Sequence, residues 1–224
     1  MFAVRLTEMT SKSQSPEINL YKTFFSDSRI DSYLNHTSGN HLLATMLYDW
    51  NTQVSSALWE LISYLEVALR NAIDFQLKDL SEQHWLLKLE TSTEQRTRQS
   101  RVEILQAKKR LQQSSKRATP EQIISELPFG FWASLISQRY RDLWPDLAGC
   151  FKGMPTRNPE KLQELLKSTR ELRNRIGHHH RIWALDLNDR LNDLYLLGRY
   201  LDPELEALLK TKSRVERILD KRPR

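Results

Sequence analysis

Residues 54–69 read VSSALWELISYLEVAL, and their apolar positions follow the period of an α-helix. These positions recur at spacings of three and four: Val54, Leu58, Leu61, Ile62, Leu65 and Leu69. Such spacing places one apolar stripe along a helix, which the helix then buries. We expect a long helical stretch over residues 41–80. A bend near residues 49–51 is an alternative, because aspartate and asparagine can begin a new helix.

The composition favours helices along the rest of the chain. Among its 224 residues are 36 leucines against 5 valines, and only 6 glycines. Leucine favours helix and valine favours strand. So few glycines are also unusual for a turn-rich β architecture. The sequence therefore predicts an all-α fold.

Capping residues predict where other helices begin. We expect helices over residues 27–34 and 186–200. Three more should start where a capping residue precedes a proline: Thr119-Pro120, Asn158-Pro159 and Asp202-Pro203. The helix that starts near Asn158 should bury Leu162, Leu165, Leu166, Thr169, Leu172 and Ile176. Glycine at position 177 should end or bend this helix.

Two stretches are harder to assign. Residues 91–117 are very polar, with a thin apolar stripe of Val102, Leu105 and Leu111, and predict an exposed helix or arm. The basic end of that stretch contains Lys108, Lys109, Arg110, Lys116 and Arg117. Residues 127–132, LPFGFW, predict an aromatic-lined turn. We expect residues 1–16 to be a flexible lead-in and residues 17–224 to form a single helical domain.

The charge, the apolar pattern and the cysteine content bear on the binding partners and the cellular location of the protein. The formal net charge is +6 and the sequence pI is about 9.4, which fits either nucleic-acid binding or a solvated basic surface. No apolar run approaches the roughly 18 residues that a membrane span needs, and the N-terminus lacks a secretory pattern. The single cysteine, Cys150, cannot form an internal disulfide. These features predict a cytoplasmic protein with no membrane association.

Residues 171–183, ELRNRIGHHHRIW, bring three histidines and three arginines together. Histidine can accept and donate a proton near neutral pH, and arginine matches phosphate oxygens with a planar fork. On a helix, Asn174 and His178 share a face because they are four residues apart. Arg173 and His178 lie about 140° apart, so they need long side chains, a bend or a helix end to converge. The pattern favours phosphoryl chemistry on an anionic backbone.

Two other interpretations of the histidines remain open. A metal site is one, but consecutive residues do not share a helix face, and no cysteine or second histidine cluster completes a ligand set. The expectation is therefore no metal and no cofactor. A solvated surface run is the other.

Three segments resemble a known family, and they occur in the family's order. Arg173-Asn174 followed by His178 resembles the R-N-x-x-x-H signature of HEPN ribonucleases, and residues 172–179 resemble the Abi-like (abortive infection) branch. That branch usually carries alanine where this chain has Gly177. Residues 48–51 with 65–73, and residues 127–132, are similar to further parts of the same family. The resemblance covers residues 48–201.

The resemblance implies a HEPN-like helical bundle with additional helices and assigns roles to the motif. Arg173 would stabilise charge on the phosphate, His178 would be the acid/base group, and Asn174 would orient the histidine or the substrate. In such enzymes, arginine and histidine from two subunits meet in a cleft, which predicts a homodimer. His179 and His180 are secondary candidates.

Residues on the long helix are candidates for support. Glu66 and Arg70 form either an ordinary helix ion pair or, with Asn71, a face turned to the motif helix that holds Arg173 or Asn174. The tryptophans at positions 50, 59, 132 and 144 are expected in the core rather than as platforms for bases.

The function that this resemblance implies is a metal-independent RNA endonuclease acting in phage defence or growth arrest. Its products would carry 2′,3′-cyclic phosphate and 5′-hydroxyl ends. The expected partners are RNA, a second copy of the chain, and an antitoxin or a phage-derived trigger. The alternative is a non-catalytic helical module that binds RNA or protein within a defence or toxin–antitoxin complex.

Overall fold

The computed structural model describes residues 16–79 and 84–224, and all its regular elements in these ranges are helices. Twelve α-helices follow one another: α1 (Pro16–Phe25), α2 (Asp27–His36), α3 (His41–Asp79), α4 (Trp85–Thr91), α5 (Arg98–Gln113), α6 (Pro120–Glu126), α7 (Phe129–Leu135), α8 (Trp144–Leu147), α9 (Glu160–Gly177), α10 (Leu187–Leu201), α11 (Pro203–Lys212) and α12 (Val215–Leu219). Short 3₁₀ turns lie between some of them. The predicted all-α fold is confirmed. The predicted lead-in lies outside the described residues, except that Pro16 begins α1.

The chain contains two compact units. The first runs up to Val54 and includes Arg217–Arg224, and the second is Ser55–Glu216. In the first unit, α1 and α2 pack together, and Ile30, Tyr33 and Leu47 are buried. The buried indole of Trp50 donates a hydrogen bond to the carbonyl of Ile218 at 2.7 Å. The expectation of a single helical domain stays a prediction.

Helix α3 is continuous, with no break near residues 49–51. Its six predicted inward residues are all buried, and each is at most 1% exposed. Leu80, the expected end, lies outside the described residues. The three-and-four spacing thus identified the buried face of this helix correctly.

The polar stretch 91–117 does not form an arm. Helix α5 packs against α4 and α6 and buries Ser100, Ile104, Ala107 and Leu111. Two of its basic residues form ion pairs: Lys108 with Glu90, and Arg110 with Glu126 at 3.2 Å. The hydroxyl groups of Ser100 and Tyr140 lie 2.8 Å apart in the interior. The predicted exposed arm is therefore wrong, because small and polar residues on α5 are buried too.

The helices of the C-terminal half begin where the caps predicted. The Thr119 hydroxyl accepts a bond from the Gln122 N–H before α6, and the Asp202 carboxylate accepts one from Glu204 before α11. Asn158 accepts one from the Glu160 N–H at 3.0 Å, at the start of α9. The six residues predicted to face inward on α9 are all buried, and α9 packs against α7 and α10.

Three details differ from the expectation. The segment 127–132 is a turn only as far as Pro128, after which Phe129 begins α7. The helix predicted to start at Asp202-Pro203 is α11, and a further helix, α12, which was not predicted, follows it. Helix α1 was not expected. Within the described residues, no helix combines the length and apolar character that crossing a bilayer requires.

Candidate functional site

The end of α9 determines where the three histidines lie. His178 is the C-cap, and its N–H donates to the Asn174 carbonyl at 3.0 Å. The next two N–H groups turn back on the helix: His179 donates to Ile176 at 2.9 Å and His180 donates to Arg175 at 2.8 Å. These two bonds are those of a Schellman motif. The chain therefore reverses directly after His178.

The left-handed residue of this turn is His179, with φ of 54°. Glycine usually occupies that position because it has no Cβ to clash. Gly177 is the last residue of α9, as expected of a helix-ending glycine, but it is not the residue that reverses the chain. All three histidines are exposed, and the rings of His178 and His180 lie 5.8 Å apart. The turn thus displays the histidines at the surface.

Arg173, one turn before Gly177, points towards α3. Its guanidinium carbon lies 5.3 Å from the centroid of the Trp59 ring, a cation–π contact. Its Nε lies 3.8 Å from the Glu66 carboxylate, beyond hydrogen-bond length. That Nε is shielded from solvent and has no hydrogen-bond partner among the described residues. The Arg173 side chain as a whole is 31% exposed.

The structure brings together only some of the predicted site residues. Glu66 lies beside Arg173, which fits the interpretation that Glu66 faces the motif helix. Arg70 is half-buried, and its Nε also has no hydrogen-bond partner among the described residues. Asn71 is exposed and lies about 140° around α3 from Glu66. Asn174 is exposed on α9, one turn before His178.

Trp59 is the site residue that sequence reasoning missed. It was expected in the core, but it is 36% exposed and covers the Arg173 guanidinium. A signal was available, because Trp59 is seven residues before Glu66 and seven residues return to nearly the same helix face. Trp50 and Trp132 are buried as expected, and Trp144 is half-buried.

The glycine at position 177 does not distort the helix. A Cβ at this position would lie 3.6 Å from the Trp59 ring and 4.0 Å from Nη1 of Arg173, which are ordinary contact distances. Alanine would therefore fit. In the described part of the chain, no three side chains of histidine, cysteine, aspartate or glutamate cluster as metal ligands would.

Comparison with known proteins identifies the family of the chain. A profile of the Abi-like protein family matches residues 16–184, well over half of the chain, and the match includes the three segments singled out in the sequence. No curated protein and no solved structure matched the chain. The chain therefore belongs to the Abi-like protein family, and this membership indicates a function of the abortive-infection type.

Proposed function

We propose that the chain is an RNA endonuclease of the abortive-infection type, with Arg173, Asn174 and His178 as its site. The observation that carries the proposal is the end of α9. An arginine that contacts two α3 residues lies in the last turns of α9, and the turn that follows displays exposed imidazoles. A cation that binds phosphate and a group that transfers protons are what phosphodiester cleavage requires.

In the proposed reaction, the ribose 2′-hydroxyl is the nucleophile. An imidazole removes its proton, the oxygen attacks the adjacent phosphorus, and the 5′-oxygen leaves and takes up a proton. Arg173 stabilises the charge that develops on the phosphate, and Asn174 orients the histidine or the substrate. The products carry a 2′,3′-cyclic phosphate and a 5′-hydroxyl. The reaction uses no metal, and a 2′-deoxy substitution at the cut position should prevent it.

Two chains would share the reaction. Each chain has one Arg173 and one His178, and within one chain they engage different neighbours: Arg173 contacts Trp59 and Glu66, while the ring of His178 lies near that of His180. A homodimer would supply a second arginine and a second histidine to one cleft. The acid and the base could then come from different subunits.

The deciding experiment incubates the purified protein with total RNA. His178→Ala should lower the cleavage rate by about a hundredfold to ten-thousandfold, the usual contribution of acid–base catalysis. Arg173→Ala should lower it by about a hundredfold or more. Suitable controls are His36→Ala and Arg175→Ala, which remove an exposed histidine of α2 and an exposed arginine of α9.

The same reactions test the mechanism. Cleavage should persist in EDTA, leave DNA intact, and weaken as salt competes for the polyanion. Loss of cleavage in EDTA that magnesium restores, with 5′-phosphate products, would contradict the mechanism. RNA binding without cleavage would favour the non-catalytic module instead.

Expression of the wild-type chain in bacteria should slow growth, unless an antitoxin neutralises it or it needs an activating trigger. Expression of His178→Ala or Arg173→Ala should not slow growth.

A further inference from the structure

Trp59 touches two residues of the motif helix at once. Its ring lies over the guanidinium of Arg173, with 5.3 Å between Cζ and the ring centroid. The Cη2 and Cζ3 atoms of the same ring lie 3.6 Å from where a Cβ of Gly177 would stand. The indole therefore spans one turn of α9, from Arg173 to the residue before His178.

Glu66 constrains the same guanidinium from another direction. Its carboxylate lies 3.8 Å from Nε of Arg173, so the two attract each other without a hydrogen bond at that nitrogen. The Nη1 atom lies 4.0 Å from the position of a Gly177 Cβ. The guanidinium thus extends along α9 from Arg173 towards Gly177, with Nη1 beside that residue.

Fixing this orientation matters because arginine is flexible. A free arginine side chain has about 2 kcal/mol of rotamer entropy, which it loses on binding a phosphate. An aromatic ring that contacts the guanidinium removes part of that freedom in advance. Trp59 is also 36% exposed, so filling a core is not its main contribution.

We propose that Trp59 is a positioning residue: its indole ring, together with the carboxylate of Glu66, holds the Arg173 guanidinium in the orientation that meets the scissile phosphate. The catalytic part of this proposal rests on the proposed ribonuclease function. The orientation itself does not, because it is a property of the protein without RNA.

The kinetic test compares Trp59→Leu with Trp59→Phe. Leucine removes the π face, so kcat should fall about two- to thirtyfold, the range of a cation–π contact, with KM changed less. Phenylalanine retains an aromatic face and should restore most of the rate. The control is Trp144→Leu, at a half-buried tryptophan whose indole donates to the Arg157 carbonyl, and it should retain full activity.

A second measurement needs no activity. Protons above an aromatic ring resonate upfield, so the Nε–Hε signal of Arg173, assigned with Arg173→Lys, should be shifted upfield by Trp59. The shift should disappear in Trp59→Leu, partly return in Trp59→Phe, and remain in Trp144→Leu. Circular dichroism should show each variant folded, as expected for changes at partly exposed positions.

The outcomes separate the two proposals. If the wild-type protein cleaves no RNA under any condition, the proposed function fails, and the Arg173 signal alone decides the role of Trp59. An Arg173 Nε–Hε signal with the same chemical shift in Trp59→Leu as in the wild type would overturn the positioning role. A rise in KM alone would also overturn it and make Trp59 a platform for a base. So would a phenylalanine variant that behaves like the leucine variant.

Discussion

His179 has φ of 54°, in the left-handed region where a Cβ costs about 1–2 kcal/mol. Its backbone completes the turn that carries His178 and His180, whose exposed rings lie 5.8 Å apart. Three serines of the described residues, Ser26, Ser38 and Ser115, also have positive φ, so the backbone strain alone does not assign His179 a role. The resemblance names His179 only as a secondary site residue. Variants must therefore separate a role of its imidazole in the site from a role of the residue in the turn.

We expect His179→Gly to stabilise the chain by about 1 kcal/mol, because glycine adopts positive φ without strain. Urea unfolding of the variant and the wild type measures this difference. A close structural match is available as a control: Ser115 follows α5 in the same kind of turn, with φ of 56° and bonds from residues 115 and 116 back to Gln112 and Leu111.

Ser115→Gly should therefore stabilise the protein by a similar amount and leave RNA cleavage unchanged. If His179→Gly stabilises equally but cleaves RNA more slowly, the imidazole of His179 participates in the site. Destabilisation by His179→Gly would show that the side chain stabilises the turn by more than the backbone strain costs.

At the level of helices, periodicity and capping residues predicted where helices begin and which face they bury. Helix α9 was predicted with its buried face because leucines recur along it and Asn158 caps its start. Helix α5 was misjudged for a physical reason. Two of the three residues in its predicted stripe, Val102 and Leu105, are 41% and 55% exposed, while Ser100 and Ala107 are buried. A buried face made of small residues does not stand out by hydrophobicity.

The candidate site was predicted only in part for a related reason. The motif residues are consecutive on one helix, so their chemistry can be recognised locally. The neighbours of Arg173 come from α3, more than a hundred residues earlier in the chain. Periodicity groups Trp59 with Glu66 on one face of α3, but it does not specify which helix packs against that face.

An ion pair joins α10 to α11, and its contribution to the free energy of unfolding should depend on pH. The Glu206 carboxylate, only 11% exposed, accepts hydrogen bonds from Arg199 at 2.6 and 2.9 Å and lies 2.8 Å from the Lys210 amine. The Arg199 hydrogen bonds lower the pKa of Glu206 below its ordinary value of 4.5, against the effect of desolvation. The ionised form is therefore favoured in the folded chain.

A carboxylate whose pKa is lowered by folding stabilises the fold at pH values above its pKa in the unfolded chain. That contribution disappears as the pH falls through its pKa in the folded chain. We expect Glu206→Gln to lower the free energy of unfolding by about 1–2 kcal/mol at pH 7. The difference from wild type should shrink below about pH 4, where the unfolded chain already carries a protonated Glu206. Urea titrations at both pH values test this, and an equal difference at both would contradict it.

At the scale of the molecule, α3 presents a second face that bears on assembly. Tyr64, Val67, Asn71 and Phe75 fall within about 80° of one another on a helical wheel. This face, which we name the α3 outer face, is unusually apolar for a surface: Tyr64, Val67 and Phe75 are 39%, 43% and 70% exposed. It lies about 120° around the helix from the face that carries Trp59, Glu66 and Arg70.

We expect the α3 outer face to pair with the same face of a second copy. A two-fold axis there would place a second Arg173 and a second His178 in the same assembly, as the proposed reaction requires. Val67→Glu combined with Phe75→Glu should therefore convert a dimer to a monomer, because like charges would face each other across the axis. Light scattering coupled to gel filtration, at micromolar concentration, measures the mass.

The control for charge alone is Leu105→Glu, which places a carboxylate at an exposed apolar position of α5 and should leave the dimer intact. The double variant should lose RNA cleavage together with its partner, although its own Arg173 and His178 are unchanged. Mixing it with His178→Ala chains should not restore activity, because the outer face of one partner is then charged. A wild-type monomer that cleaves RNA at full rate would contradict the shared site, and a double variant that remains dimeric would place the interface elsewhere.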